Sequence, residues 1–154
     1  MADSFHYLLM AAHVLFQKRL FELLKESGLT AGQPKILEYL EAHNGVSQKE
    51  LASGCLIEPA SLTSILNRME EKKLIERRML NGNRRTFYIF VTDTGRRRQR
   101  QIADAFRQLE AEAFDGIPGE QQTAVREVLT RVYGNLTALR SPENAEPAKE
   151  AADE

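Results

Sequence analysis

A short β-rich segment in an otherwise helical sequence limits the folds open to this chain most strongly. Residues 75–79 and 86–92 have the character of two strands, the second rich in aromatic and β-branched side chains. Asn81-Gly82 lies between them, and both residues tolerate the positive φ that a tight turn requires. We therefore expect an antiparallel hairpin joined through Asn81-Gly82.

Apolar residues at intervals of three and four predict six helices around this hairpin. Two capping boxes are expected to begin the second and third helices; they pair Thr30 with Gln33 and Ser47 with Glu50. Pro59 suits the first turn of the fourth helix because its missing N–H has no partner there, and Thr92 can cap the fifth. The expected helix ends are at Lys25 before Gly28, near Asn44-Gly45, at Ser53-Gly54, and at Lys72 to Lys73.

The middle of the chain has the element order of a winged helix-turn-helix, which is a short helix, a tight turn, a helix with a polar face and a basic hairpin. The predicted fold class is mainly α with a small β-hairpin wing, plus a helical dimerisation region. Residues 1–28 and 115–140 are assigned to dimerisation, because their apolar stripes are wider than one winged domain could cover. Residues 29–114 form the winged region with a connecting helix, and 141–154 a disordered acidic tail.

The charge of the chain is unevenly distributed. Between Lys72 and Arg100 there are ten Lys or Arg against Glu76 and Asp93, a local charge of +8 in a chain whose net charge is −1. This basic segment favours a polyanionic partner. The single Cys excludes a disulfide framework and a Cys-rich zinc site, and the apolar run 7–16 is too short for a membrane span. We therefore expect a cytoplasmic protein.

Several motifs in this order resemble the MarR family of winged-helix transcription regulators. They are Leu29-Thr30 with Gln33, Ser47-Gln48-x-Glu50-Leu51-Ala52, Asn67-Arg68-Met69-Glu70, Asn83-Arg84-Arg85 and Val91-Thr92-x-x-Gly95. The resemblance implies a homodimer joined by its terminal helices, a recognition helix in the major groove and a wing at the minor groove. Asn67 and Asn83 stand where the family usually has Asp, and Lys73 where it often has Gly.

The candidate DNA-binding residues lie on three elements. The polar face of the fourth helix avoids its apolar stripe and presents Ser61, Thr63, Ser64, Asn67 and Arg68. Arg84 and Arg85 follow the tight turn, and their alternation on a strand allows only one to enter the minor groove. Gln48 and Lys49, at a helix N-terminus, are expected to contact phosphates. An ordinary solvated face is the alternative for each group.

The resemblance also implies a small-molecule pocket, for which Tyr7, His13, Phe16, Tyr39 and Phe106 are candidates, although aromatic residues at helical spacing also form plain cores. No motif completes a metal site around His6, His13 and His43, and Cys55 with His43 lacks the signature of a nucleophilic enzyme. No cofactor is expected.

These observations predict a dimeric, sequence-specific DNA-binding regulator, a repressor released by a small ligand. Its operator would be an inverted repeat in double-stranded DNA. Two alternatives remain at this point. One is a winged-helix module for protein interaction, and the other is a redox sensor that acts through Cys55.

Overall fold

The computed structural model describes residues 3–140, which form six α-helices, one short 3₁₀ helix and one β-hairpin. The elements are α1 (Phe5–Leu23), a 3₁₀ helix (Lys25–Ser27), α2 (Gln33–Ala42), α3 (Gln48–Cys55), α4 (Pro59–Glu71), β1 (Ile75–Arg78), β2 (Tyr88–Val91), α5 (Asp93–Ala113) and α6 (Gly119–Ala138). The predicted mainly α fold with a small β-hairpin is confirmed. The predicted tail, 141–154, lies outside the described residues.

The chain divides into two compact units, the first ending at Ala113 and the second beginning at Phe114. The core of the first unit is built from the apolar stripes of α2, α3 and α4 together with the hairpin and α5. Its most deeply buried aliphatic side chains are Leu20, Ile36, Leu37, Leu40, Leu51, Leu62, Leu66, Met69, Ile75, Ile89 and Ile102. This core holds α3, α4 and the hairpin in one rigid arrangement, because close-packed interiors resist displacement.

The predicted start of α2 at a Thr30 cap is wrong. The helix begins at Gln33, and Gly32, with a φ of 83°, precedes it as the N-cap. Thr30 still contributes to the start of α2, because its backbone N–H donates to Gln33 Oε1 at 3.0 Å. Gln33 is fully buried, so this bond and the Lys72 ammonium at 3.2 Å fix its carbonyl oxygen inside the fold.

The predicted break of the third helix at Ser53-Gly54 is also wrong, because α3 continues to Cys55. Gly54 instead allows α2 and α3 to pack closely. A Cβ at this position would lie 2.2 Å from Cζ of the Tyr39 ring, so the glycine lets α2 and α3 approach.

Two other predicted caps are confirmed. Ser47 Oγ accepts from the Glu50 N–H at 3.1 Å, and Glu50 Oε2 accepts from the Ser47 N–H at 2.9 Å, which completes a capping box. Thr92 Oγ1 accepts from the Gly95 N–H at 3.0 Å at the start of α5. The same hydroxyl donates to the Lys73 carbonyl at 2.5 Å, which connects α5 to the end of α4.

The hairpin forms at the predicted place with shorter strands than expected. β1 and β2 pair antiparallel from Ile75 opposite Val91 to Arg78 opposite Tyr88, so residues 79–87 form the wing loop. The tight turn lies within this loop: the Asn83 N–H donates to the Leu80 carbonyl at 3.0 Å, and Asn81 and Gly82 have φ of 54° and 72°. The strand segments beyond Arg78 and before Tyr88 do not pair.

The outer edge of β2 is occupied by the segment that leads into α3. The Gly45 N–H donates to the Ile89 carbonyl at 2.8 Å, the Ile89 N–H to the Val46 carbonyl at 2.9 Å, and the Gln48 N–H to the Phe87 carbonyl at 2.9 Å. The wing is therefore attached to the N-terminus of α3 by backbone hydrogen bonds.

The described part of the second unit consists mainly of α6, none of whose residues is buried. At its start, Gln122 Nε2 donates to the Ile117 carbonyl at 2.8 Å, and the Arg126 guanidinium lies 5.7 Å from the centre of the Phe114 ring. Within residues 3–140, no helix combines the length and the apolar character needed to cross a membrane.

Candidate nucleic-acid interface

The outward face of α4 carries the five side chains predicted from its sequence. Leu62, Leu66 and Met69 are buried beneath it. Exposed on the helix are Ser61, Thr63, Ser64, Asn67 and Arg68. An exposed helix face with short hydroxyls, an amide and a guanidinium can contact both base edges and phosphates.

A side-chain hydrogen bond joins the first turn of α3 to α4. Gln48 Nε2 donates to Thr63 Oγ1 at 2.9 Å, and this hydroxyl donates in turn to the Pro59 carbonyl at 3.1 Å. Because a hydroxyl has a single proton, Thr63 can only accept further hydrogen bonds. Gln48 retains one N–H and its carbonyl oxygen for a partner.

The structure also assigns a role to two residues that the sequence analysis missed. Arg77 Nη2 donates to Asn67 Oδ1 at 2.6 Å and lies 3.2 Å from Glu70 Oε1. The hydrogen bond from Arg77 holds the pKa of the Glu70 carboxyl below its usual value. The Arg77 guanidinium also lies 5.6 Å from the centre of the Phe87 ring. Glu70 thus supplies the carboxylate that Asn67 lacks, and the cluster connects α4 to β1 and the wing.

The two arginines at the end of β1 are held by the protein. Arg78 pairs with Glu76 at 2.7 Å, and its guanidinium lies 4.4 Å from the centre of the Phe90 ring. The signal that could have revealed this pattern is in the sequence of the hairpin, where Arg77 and Arg78 are followed across the turn by the aromatic residues Phe87, Tyr88 and Phe90. Stacking on rings commonly fixes arginine side chains.

The arginines of the wing loop have a different environment. No described residue accepts a hydrogen bond or forms an ion pair with the guanidinium of Arg84 or Arg85. Asn83 Oδ1 accepts from the Arg85 backbone N–H at 2.9 Å, so Asn83 shapes the loop without a carboxylate. Arg85 lines a groove of about 440 Å³ between the wing, α3 and α4, whose lining includes Gln48, Lys49 and Thr63, whereas Arg84 is outside that lining.

Lys72 and Lys73 at the end of α4 have structural roles. Lys72 Nζ donates to the Gly28 carbonyl at 2.7 Å. Lys73, at the position where the family often has Gly, has a φ of 58° in the left-handed region. Its N–H donates to the Glu70 carbonyl and the Leu74 N–H to the Met69 carbonyl, both at 2.9 Å, which is a Schellman cap.

The five aromatic and histidine candidates for a ligand pocket are dispersed. The Phe16 and Phe106 rings stack with centres 6.3 Å apart, and Phe106 borders a cavity of about 290 Å³ between α2 and α5. Tyr39 stacks instead on His43 at 4.2 Å. Tyr7 and His13 are exposed on α1.

The environment of Cys55 disfavours the redox alternative. The side chain is buried, and burial raises the pKa of the thiol to about 11. Because the thiolate is the reactive form, this cysteine is a poor nucleophile at neutral pH. Among residues 3–140, no three His, Cys, Asp or Glu side chains are grouped so that they could hold a metal ion.

Comparison with known proteins identifies relatives of this chain. A sequence profile described as MarR family matches residues 27–86. The homoprotocatechuate degradative operon repressor of Escherichia coli is 33% identical over 117 residues, which are 73% of this chain and 78% of that protein. The transcriptional repressor MdtR of Bacillus subtilis is 29% identical over 89 residues, and the chain spans 57% of its length.

Solved structures share the fold at lower identity. The transcriptional regulator SlyA has a TM-score of 0.78 at 22% identity, with 88% of this chain and 95% of that chain covered. CouR from Rhodococcus jostii RHA1, bound to p-coumaroyl-CoA, has a TM-score of 0.74 at 22% identity, with 85% and 92% covered. CouR has also been solved with a 23-mer DNA duplex.

The sequence identity to the Escherichia coli repressor extends over most of both chains, and α2, α3, α4 and β1 lie within the part that the family profile matches. Proteins of this kind act by binding DNA and not as enzymes. The chain belongs to the MarR family of winged helix-turn-helix transcriptional regulators.

Proposed function

We propose that the protein is a homodimeric repressor that binds an inverted-repeat operator through α4, the start of α3 and the wing, and that a small molecule releases it. The observation that carries this proposal is the contrast between two pairs of arginines. Arg77 and Arg78 contact carboxylates and rings, whereas the guanidinium groups of Arg84 and Arg85 in the wing loop have no such partner among the described residues, and Arg85 borders the groove beside α4. Free cations beside a polar helix face suit a phosphate backbone and its grooves.

Different side chains of this surface are then assigned to the minor groove, to phosphates and to bases. Arg84, which is outside the groove beside α4, is assigned to the minor groove, where arginine is attracted by the negative potential. Arg85, Gln48 and Lys49 border that groove and are assigned to phosphates. The base contacts fall to the exposed side chains of α4, which are Ser61, Thr63, Ser64, Asn67 and Arg68.

Dimerisation is supported by apolar surface on both terminal helices. On α1, exposed apolar residues include Phe5, Leu8, Met10 and Leu15, with Met10 68% exposed. On α6, the exposed apolar residues are Val125, Val128, Leu129, Tyr133 and Leu136. Helix faces of this kind are covered in a stable protein, and a second copy of the chain is the occupant that two-fold operator binding needs.

Release by a small molecule is supported by the relatives. CouR was solved bound to p-coumaroyl-CoA, and the Escherichia coli relative is named for an operon that degrades homoprotocatechuate. In this chain, Phe106, which stacks on Phe16, borders the cavity between α2 and α5 and offers an aromatic surface for such a ligand. Tyr7, His13 and Tyr39 remain further candidates. A repressor of this kind works in the cytoplasm, where the DNA is.

The proposal is tested by selection from a random duplex library with the full-length chain. The expected product is an inverted repeat with half-sites about 10 base pairs apart, bound by two protomers in sedimentation experiments. Recovery of no preferred duplex, or of a single half-site bound by a monomer, would refute it. The first of these results would favour the alternative of a protein-interaction module.

A further inference from the structure

Asn67 lies on the side of α4 that the proposed function turns toward the major groove. It follows Ser64 by one turn, and both are exposed. The buried side chains Leu62, Leu66 and Met69 are on the opposite side of the helix. Asn67 is therefore placed to contact a base edge, and the orientation of its amide decides which edge it can recognise.

Arg77 fixes that orientation. Its Nη2 donates to Asn67 Oδ1 at 2.6 Å, and a guanidinium has donors only, so the group facing it is the amide oxygen. Arg77 is itself immobilised: its Nε and backbone N–H donate to Glu70 Oε2 at 3.4 and 3.2 Å, and its ring contact is Phe87. Only 16% of the Arg77 side chain is exposed.

The remaining group of Asn67 is its amide NH₂, which carries two donors and no acceptor. The bidentate pairing of Asn with adenine requires the amide oxygen and the NH₂ to face the same base edge. Here the oxygen is directed to Arg77. In the major groove, guanine presents the acceptors O6 and N7 and thymine presents O4, adenine presents the acceptor N7 beside its N6 donor, and cytosine presents only its N4 donor.

We infer that Asn67 acts as a donor-only contact that selects against cytosine, the one base without a major-groove acceptor, at one position of each half-site. Guanine, thymine and adenine each offer an acceptor to the amide NH₂, whereas the cytosine amino group opposes it. The inference rests on the proposed function, which supplies the DNA and the approach of α4 to the major groove.

Two substitutions of Asn67 distinguish the effect of its amide NH₂ from that of its hydrogen bond with Arg77. Asn67→Asp keeps an oxygen for Arg77 and replaces the NH₂ by an acceptor, so the fold and the cluster are retained. Asn67→Ala removes both groups. Ser64→Asp is the matched control, because it adds the same negative charge one turn away without touching Arg77.

The base preference of each full-length protein is measured by selection from a random duplex library, followed by competition binding with the four bases at the affected position. The wild type should prefer guanine over cytosine by about tenfold per half-site. Asn67→Ala should abolish this preference. Asn67→Asp should reverse it toward cytosine or adenine, which donate to a carboxylate. Ser64→Asp should weaken binding to all four sequences without changing the preference at this position.

A wild-type preference for cytosine at the position that Asn67→Ala alters would overturn the inference. So would a folded Asn67→Asp protein that keeps the wild-type preference. In both cases the proposed function would stand, because sequence-specific binding itself is intact. A wild-type chain that selects no duplex would overturn the proposed function and this inference together.

Discussion

Replacing Lys73 by Gly is expected to stabilise the protein, although it removes a side chain and a charge. Lys73 occupies the left-handed region with a φ of 58° at the end of α4. Its position is held by the two backbone hydrogen bonds of the cap and by the bond from Thr92 Oγ1 to its carbonyl. A side chain in this region costs about 1–2 kcal/mol, and a glycine loses about 0.5–1 kcal/mol more entropy on folding. The net gain is therefore about 0.5–1 kcal/mol.

The free energy of unfolding is measured by urea denaturation, at a fixed protomer concentration because association contributes to apparent stability. In thermal melts the gain corresponds to about 2–3 °C. Lys73→Ala is the control: it removes the same charge and methylenes and keeps the Cβ, so its effect should lie within about 0.5 kcal/mol of zero. Equal stability of the Gly and Ala variants would refute the argument that backbone strain at this cap limits stability.

Three further outcomes are expected. Gly54→Ala should cost about 1–3 kcal/mol in urea denaturation, because the new Cβ meets the Tyr39 ring, and a second substitution Tyr39→Ala should recover part of that loss. The Cys55 thiol, buried and with its pKa raised to about 11, should react with a thiol reagent only when the protein unfolds, and rapid labelling of the native protein would contradict this. The hydrogen bond from Arg19 holds the pKa of the exposed Glu112 carboxyl at about 2, below its usual 4.5, so the pair stabilises the fold above pH 4.5 and this contribution is lost as the pH falls toward 2. The small difference in melting temperature between wild type and Glu112→Gln should therefore disappear as the pH falls from 4.5 to 2. A difference that is unchanged at low pH would contradict a stabilising role of the Arg19–Glu112 pair.

Local features of the fold were predictable from the sequence. The capping box of Ser47 with Glu50 depends on residues three apart, and Pro59 begins α4 as its missing N–H predicts. The turn at Asn81-Gly82 has the expected positive φ values. The short range of these interactions explains why a single sequence was sufficient to find them.

Features that depend on distant partners were not predictable in the same way. A glycine at position 54 is typical of a helix end, but α3 continues through it. The close approach of the Tyr39 ring from α2 explains why a glycine is present inside this helix. The environment of Asn67 is set by Arg77, which returns to α4 on β1 ten residues later. The exposed face of α4 could be identified from periodicity, whereas the direction of the Asn67 amide required the fold.

The salt dependence of operator binding shows whether the wing and α4 form the DNA-binding surface. The slope of log K against log salt concentration is measured for wild type, Arg84→Ala and Arg107→Ala. Arg107 is an exposed arginine of α5, paired with Asp104, outside the proposed surface. Arg84→Ala should reduce the slope by about one per protomer and weaken binding to all sequences, whereas Arg107→Ala should change neither. Unchanged slopes for both variants, or an equal loss for both, would contradict this assignment of the surface.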